Sequence, residues 1–160
     1  MEGEVFLDPV EFLRDLYRQD IPYLLVGRQA LVLLGAPLMT ADYDFYLSPE
    51  VEHLKRLLTL AQEKNLEPSQ KNPQSRPFFS LFSDTLKLDF FRARAYAVEG
   101  GDSFTFDELF SRKKVLPVED FAVYLPTIKD LIGTKQVRNS PKDLEDIKYL
   151  QALLEKEQGP

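Results

Sequence analysis

The sequence predicts an α/β chain of the α+β kind, a small mixed sheet flanked by helices and closed by a C-terminal helix pair. Three observations predict it. Short apolar runs of strand length, Tyr23–Val26 and Tyr43–Leu47, alternate with apolar stripes at helical spacing. Two further runs, Phe78–Phe82 and Leu86–Phe91, flank Ser83-Asp84-Thr85 in the manner of antiparallel neighbours. The C-terminal part reads as two helices parted by Asn139-Ser140-Pro141.

Each element has a local reason. Asp8-Pro9 supplies an N-cap and a proline at the first helical position, and Phe12, Leu13, Leu16 and Tyr17 form the stripe of a helix over residues 8–19. Tyr23–Val26 is a short buried strand broken by Gly27. Residues 29–34 are apolar and helical, and Gly35-Ala36-Pro37 ends them. Tyr43–Leu47 is the second strand. Ser48-Pro49-Glu50 caps a helix that sends Val51, Leu54, Leu57, Leu58 and Ala61 inward. Residues 67–76 are polar, hold two prolines and read as a loop. Gly100-Gly101 marks a turn, and Phe121–Leu125 is a further short strand. The closing helices run from Thr127 to about Arg138 and from Pro141 to about Lys156, with Ser140 as the N-cap of the second. No repeat or long linker divides residues 1–160, so one domain is expected.

Composition narrows the chemistry. The chain is 44% hydrophobic with 12 Phe and 7 Tyr, which is a globular composition. No apolar run reaches the roughly 20 residues of a membrane span, and the acidic start Met1-Glu2-Gly3-Glu4 lacks a secretory pattern, so a cytoplasmic protein is expected. Without cysteine there is no disulfide, thiolate zinc site or cysteine nucleophile. The formal net charge of −6 opposes broad binding to nucleic acid. The single histidine, His53, lies in a charged helix and reads as a solvated surface residue, so catalysis must rest on carboxylates, lysines and arginines.

Asp42 and Asp44, in Thr40-Ala41-Asp42-Tyr43-Asp44-Phe45, carry most of that chemistry. At i and i+2 on a strand, two carboxylates share one side of a sheet. Like charges that close repel, and a hard divalent cation removes the conflict. The pair follows the glycine turn Val26-Gly27-Arg28, where a helix start can receive phosphate. In Leu86-Lys87-Leu88-Asp89-Phe90-Phe91 the apolar residues Leu86, Leu88 and Phe90 share one face and Asp89 takes the other. On a strand beside the Asp42/Asp44 strand, Asp89 would complete a three-carboxylate metal site and help deprotonate an acceptor hydroxyl. Singly, each acid is more often a capping or solvated surface residue; the ordered set is what carries the signal.

That order, strand, glycine turn, apolar helix, Thr40-x-Asp42-x-Asp44, helix and strand Asp89, resembles the nucleotidyltransferase superfamily of the DNA polymerase β type. Within it the chain looks most like the minimal bacterial members that include the AbiEii-like toxins. The first motif corresponds to Gly27-Arg28-Gln29-Ala30, Gly35 and Thr40-Ala41-Asp42-Tyr43-Asp44-Phe45, and the second to Leu88-Asp89-Phe90. Two later family motifs match Leu131-Ile132-Gly133-Thr134-Lys135 and Lys142-Asp143-Leu144-Glu145-Asp146-Ile147, so the likeness spans residues 22–152. It implies a catalytic and metal-binding triad of Asp42, Asp44 and Asp89, magnesium or manganese as cofactor, and an NTP as substrate. Gly27, Arg28, Thr40, Lys135, Arg138 and Lys142 would contact the nucleotide, with Lys135 reaching its phosphates. Asp143 and Asp146 share a helix face and could orient Lys142 or Lys135.

The chain departs from the family at Arg28, where a small residue usually stands, and at Leu38-Met39, where a basic residue often precedes the Ser/Thr. An arginine at 28 either blocks the triphosphate or supplies a charge-assisted contact to it. Two functions follow. One is magnesium-dependent transfer of a nucleoside monophosphate to a hydroxyl of a protein, a tRNA end or a small molecule, with a toxin–antitoxin partner as one setting. The other is a degenerate transferase fold that binds nucleotide or docks a partner without chemistry. A plain α/β domain with surface acids is the third reading.

Overall fold

The computed structural model describes residues 8–73, 76–93, 95–97, 103–138 and 140–158, with 95–97, 103, 137 and 138 described in their backbone alone. Helix α1 (Pro9–Arg18) starts where expected, its N-cap Asp8 accepting the Val10 N–H. Strand β1 (Tyr23–Val26) passes directly into helix α2 (Gly27–Leu33), which starts two residues before the apolar stripe suggested. Strand β2 (Tyr43–Leu47) and helix α3 (Val51–Glu63) follow. Next come β3 (Glu67–Pro68), β4 (Phe78–Phe82) and β5 (Lys87–Phe91), then the hairpin of β6 (Ala95–Ala97) and β7 (Ser103–Thr105). Helix α4 (Phe106–Ser111), the hairpin of β8 (Lys114–Val118) and β9 (Phe121–Leu125), and helices α5 (Ile128–Arg138) and α6 (Pro141–Glu157) complete the chain. The Gly100-Gly101 turn and Asn139 lie outside the described residues. Among those described, no helix is long and apolar enough to cross a membrane.

The main sheet has the order β1-β2-β5-β4-β3 and is mixed, as the sequence predicts. Strands β2 and β5 run parallel; the other neighbours are antiparallel. Side-chain alternation assigns its two faces different tasks. Tyr23, Leu25, Phe45, Leu47, Leu88, Phe90, Phe79 and Leu81 belong to the main core, together with Phe12, Leu13 and Leu16 of α1 and Leu54, Leu57 and Leu60 of α3. Phe90 anchors this layer, stacked against Phe45 at 4.9 Å and Phe79 at 5.2 Å between ring centroids. Burying each such ring stabilises the fold by roughly 1.5–3 kcal/mol. The other face is covered at one end by α4, where Leu24 and Tyr46 pack with Phe106 and Leu109. At its other end the same face carries Asp44, Asp89 and Ser80, register partners on β2, β5 and β4.

Several expectations are corrected. Val51 is 53% exposed, because it opens the first turn of α3 before the helix meets the core, whereas Leu54, Leu57 and Ala61 are buried as expected. The N-cap of α3 is Glu50 without a side-chain bond; Ser48 instead accepts the Glu50 N–H and pairs with His53 Nδ1 at 2.6 Å. His53 is therefore a half-buried, hydrogen-bonded residue and not a solvated one. The stretch 67–76 contains the edge strand β3, held by Ser69 N–H to the Ser80 carbonyl at 2.8 Å.

Helix α6 begins with a capping box in which Ser140 Oγ accepts the Asp143 N–H and the Asp143 carboxylate accepts the Ser140 N–H. Removing such a cap costs about 1 kcal/mol. Ser140→Ala is expected to lower the thermal midpoint by roughly 2–4 °C, measured by circular dichroism; an unchanged midpoint would show that α6 is held by packing alone.

Candidate functional site

One cleft of about 370 Å³ gathers most of the singled-out residues. Its lining includes Gly27 and Arg28 from the β1–α2 junction, Asp42 and Asp44 at the start of β2, Lys87 and Asp89 of β5, Thr134 and Lys135 of α5, and Lys142 and Asp146 of α6. Four of these side chains are basic (Arg28, Lys87, Lys135, Lys142) and four acidic (Asp42, Asp44, Asp89, Asp146). The signs are largely segregated. The sheet and the approach to β2 supply Asp42, Asp44 and Asp89, whereas the helices opposite supply Arg28, Lys135 and Lys142.

The acidic wall follows from strand register. Val26 of β1 pairs with Asp44, and Asp44 pairs with Asp89 across the parallel β2–β5 ladder, so two carboxylates stand side by side on one sheet face. Asp42 is not itself on the strand, which begins at Tyr43; its N–H is held by Thr40 Oγ1 at 3.1 Å in the approach to β2. Thr40 thus shapes the acidic loop, and it is not among the residues that line the cleft. Asp89 Oδ1 accepts the Ser80 hydroxyl at 2.5 Å and lies 3.7 Å from Lys87 Nζ.

Gly27 has a reason to be glycine that the motif alone did not disclose. Its φ is +69°, the left-handed region, and a Cβ there would collide with Asp44 Oδ2 and come within 3.0 Å of Asp44 Cβ. The missing side chain makes room for the carboxylate beside it.

The basic wall is organised by Asp146, whose residue is 1% exposed. Its Oδ2 accepts Lys135 Nζ at 3.0 Å and its Oδ1 accepts Arg28 Nε at 3.1 Å; Arg28 also lies 3.5 Å from Glu145. Lys135 is 5% exposed, so its ammonium leaves water only because this partner exists. The expected Asp146–Lys135 partnership is present, whereas Asp143 is engaged in the α6 capping box. Lys142 lines the cleft from the exposed first turn of α6. The side chain of Arg138 lies outside the described residues. Sequence reasoning gave Lys87, Thr134 and Ser80 no role in the site, and it treated Asp146 only as an orienting residue. Two signals were available, the Lys142-Asp143-x-x-Asp146 pattern and the i, i+2 spacing of Lys87 and Asp89, whereas Ser80 and Thr134 depend on strand pairing and helix packing.

The donor chemistry suits magnesium, which takes carboxylate oxygens. Among the described residues, however, no three acids or histidines are drawn together into a ready ligand set. The three aspartates line one cleft without forming a closed cage.

No family model matches the chain, and no curated protein matches it. Solved structures do. The lincomycin-bound lincosamide antibiotic adenylyltransferase LnuA superposes with a TM-score of 0.63 at 14% identity, over 94% of this chain and 99% of that one. A Thermotoga maritima protein described as a nucleotidyltransferase gives 0.56 at 16% identity, over 92% of both chains. The Megavirus polyadenylate synthase gives 0.56 at 15% identity, over 90% of this chain and 30% of that one. The chain therefore has the nucleotidyltransferase fold.

Two outcomes are expected from this geometry. Asp146→Ala strands Lys135 in the interior and should cost about 3–5 kcal/mol, seen in denaturant unfolding. Adding Lys135→Met should recover part of that loss; strictly additive losses would mean the two groups are not coupled. Gly27→Ala should cost at least about 1–2 kcal/mol from its backbone conformation alone, and wild-type stability in that variant would refute the Asp44 packing argument.

Proposed function

We propose that this protein transfers the nucleoside monophosphate of an NTP to an acceptor hydroxyl, with a divalent cation as cofactor. The observation that carries the reading is the pairing of Asp44 with Asp89 on adjacent parallel strands, opening with Asp42 into a cleft whose far wall holds Arg28, Lys135 and Lys142. Acids alone would repel a triphosphate, and cations alone would bind one without chemistry. Both together suit phosphoryl chemistry at a metal.

Magnesium is commonly held by one or two carboxylates together with substrate phosphates and water, so a closed protein cage is not required. Asp42 and Asp44 would hold the cation, which when bound neutralises charge on the phosphates. Lys142, Arg28 and Lys135 would orient the β- and γ-phosphates. Gly27 would let the chain pass close to them while leaving Asp44 its place. Both neighbours of Asp89 meet Oδ1, so Oδ2 is the oxygen suited to take the acceptor proton. In the transfer, the acceptor oxygen forms a bond to the α-phosphorus as its proton passes to the Asp89 carboxylate. The bond from the α-phosphorus to the bridging oxygen breaks, and pyrophosphate leaves with the electron pair.

The structural likeness to lincomycin-bound LnuA brings small molecules into the range of acceptors, beside the protein side chain or tRNA end suggested by the sequence motifs. The AbiEii-like, toxin–antitoxin setting and a cytoplasmic location remain part of the proposal on those motifs and the lack of cysteine. A second reading has its own observation. Arg28 and Lys135 are both engaged by Asp146, which a nucleotide-binding module without turnover would tolerate.

Thermal shifts with each NTP, with and without magnesium, separate these readings. A magnesium-dependent rise is expected in the wild type and its loss in Asp42→Ala/Asp44→Ala. At 100 times the dissociation constant the ligand should add about 2.7 kcal/mol. Absence of any shift would sink nucleotide binding altogether. A shift without transfer of label from α-phosphate-labelled NTP to any acceptor would favour the binding module, and activity gained in Arg28→Gly would identify Arg28 as the reason.

A further inference from the structure

The carboxylates of the cleft also border a second groove, on the side away from Arg28, Lys135 and Lys142. Its lining is Asp44, Asp89, Ser80, Phe79, Phe78, Ser69 and Gln70. We infer that this groove receives the acceptor, and that the acceptor is a small, hydroxyl-bearing, non-anionic molecule with an apolar face. The inference rests on the nucleotidyl-transfer reading for its role and deepens it by naming the acceptor class.

The first argument is position. Asp44 and Asp89 line both cavities, so a ligand in the groove lies against the same two carboxylates as a ligand in the cleft. A two-substrate transfer needs that arrangement, with one reactant on each side of the reacting groups.

The second is an exposed ring held in place. Phe78 is 63% exposed, unusual for a phenylalanine. It is not loose: its ring lies 4.7 Å from Phe91, which lies 5.1 Å from Tyr46, which packs edge-on to Phe106 at 5.1 Å. A row of rings thus runs from the small core under α4 to solvent and ends in Phe78 beside the acids. A ring fixed in this way offers a flat apolar surface at little cost in lost side-chain freedom.

The third is a polar wall that is itself braced. Gln70 Nε2 donates to the Phe78 carbonyl at 2.8 Å, and Ser69 Oγ accepts the Ser80 N–H at 2.9 Å. The Gln70 amide must be oriented with its nitrogen toward that carbonyl, which leaves Oε1 as a buried acceptor without a hydrogen-bond partner. Gln70 and Ser69 are thus fixed in the wall that a ligand in the groove would meet.

The last argument is charge. Among the described residues, the only charged side chains that line the groove are Asp44 and Asp89. A phosphodiester chain would meet two carboxylates there, with Lys87 3.7 Å from Asp89 Oδ1, which is the reverse of the cationic surface that nucleic-acid binding uses. Lys71 and Arg76 line a neighbouring groove that meets this one at Gln70, so RNA is the alternative that the test must separate.

Saturation-transfer NMR can be run on the full chain with two probes, p-nitrophenyl β-D-glucopyranoside and an oligoadenylate of twelve nucleotides, without NTP present. The glucoside is expected to bind the wild type, with its dissociation constant raised about tenfold in Phe78→Ala and raised also in Gln70→Ala. Phe82→Ala, an exposed ring on the same strand outside the groove, should leave it unchanged. Circular dichroism of each variant establishes that it is folded. The inference is overturned if the glucoside does not bind, if Phe78→Ala and Gln70→Ala bind it like wild type, or if oligoadenylate alone shows the dependence on Phe78. The magnesium-dependent NTP shift is measured separately, so loss of the transferase reading and loss of the acceptor groove are told apart.

Discussion

A carboxylate taken out of water must be matched by cations, and Asp146 imposes that constraint on the whole C-terminal half of the fold. It sits on α6, its two oxygens taken by Lys135 of α5 and Arg28 of α2, so one side chain ties three helices. Isolated burial of either charge would cost several kcal/mol, and removal of one partner exposes that cost. Because α2 starts directly after β1, Arg28 emerges at the end of the sheet where Asp44 lies. Satisfying Asp146 therefore brings the helical cations over the strand acids and closes a two-signed cleft.

The strand acids form the opposing constraint. Like charges directly across a ladder are unfavourable, yet Asp44 and Asp89 occupy one register position on neighbouring strands. Ser80 and Lys87 relieve Asp89 in part, and Gly27 yields the space that Asp44 fills. The molecule thus gives up a side chain at Gly27 and accepts a left-handed backbone there to keep a carboxylate beside another carboxylate. Local rules broken together at one place mark functional sites more often than structural ones.

What could be read in the sequence follows the range of the forces involved. Helices α1 and α6 announce themselves through Asp8-Pro9 and Ser140-Pro141, signals confined to one turn. Strands β1, β2, β4 and β9 match their expected bounds because each is an apolar run with nearby turn residues. The partner of β9 escaped notice. Strand β8 contains Pro117, and its turn to β9 uses Glu119 at φ +52° where glycine or asparagine would be the sign. That turn is held from afar: Arg14 pairs with Glu119 and Asp120, and Arg18 with Asp120. Helix α4 is six residues long, too short for a periodic pattern, and exists to lay Phe106 and Leu109 on Leu24 and Tyr46. In the site, Asp42, Asp44 and Asp89 were legible from spacing and Lys135 from family likeness. Lys87 shares the Asp89 face by strand alternation alone, whereas Ser80 was not legible, since its place beside Asp89 is created by pairing.

Arg28 is the point at which the sequence offered two opposite readings, obstruction or contact, and the charge balance favours contact. On the helical wall, Arg28, Lys135 and Lys142 face Asp146, which leaves two positive charges in excess among the residues lining the cleft. On the sheet wall, Asp42, Asp44 and Asp89 face Lys87, which leaves two negative charges in excess. With glycine at position 28, Asp146 would keep only Lys135, and the excess on the helical wall would fall to one. On the proposed reading the arginine would strengthen the sign that attracts a phosphate, while the sheet wall would keep the sign that attracts a divalent cation. Its tie to Asp146 draws its guanidinium toward α6 and leaves the turn at Gly27 to the backbone. A residue that departs from the motif in one dimension thus supports the same electrostatic division in three.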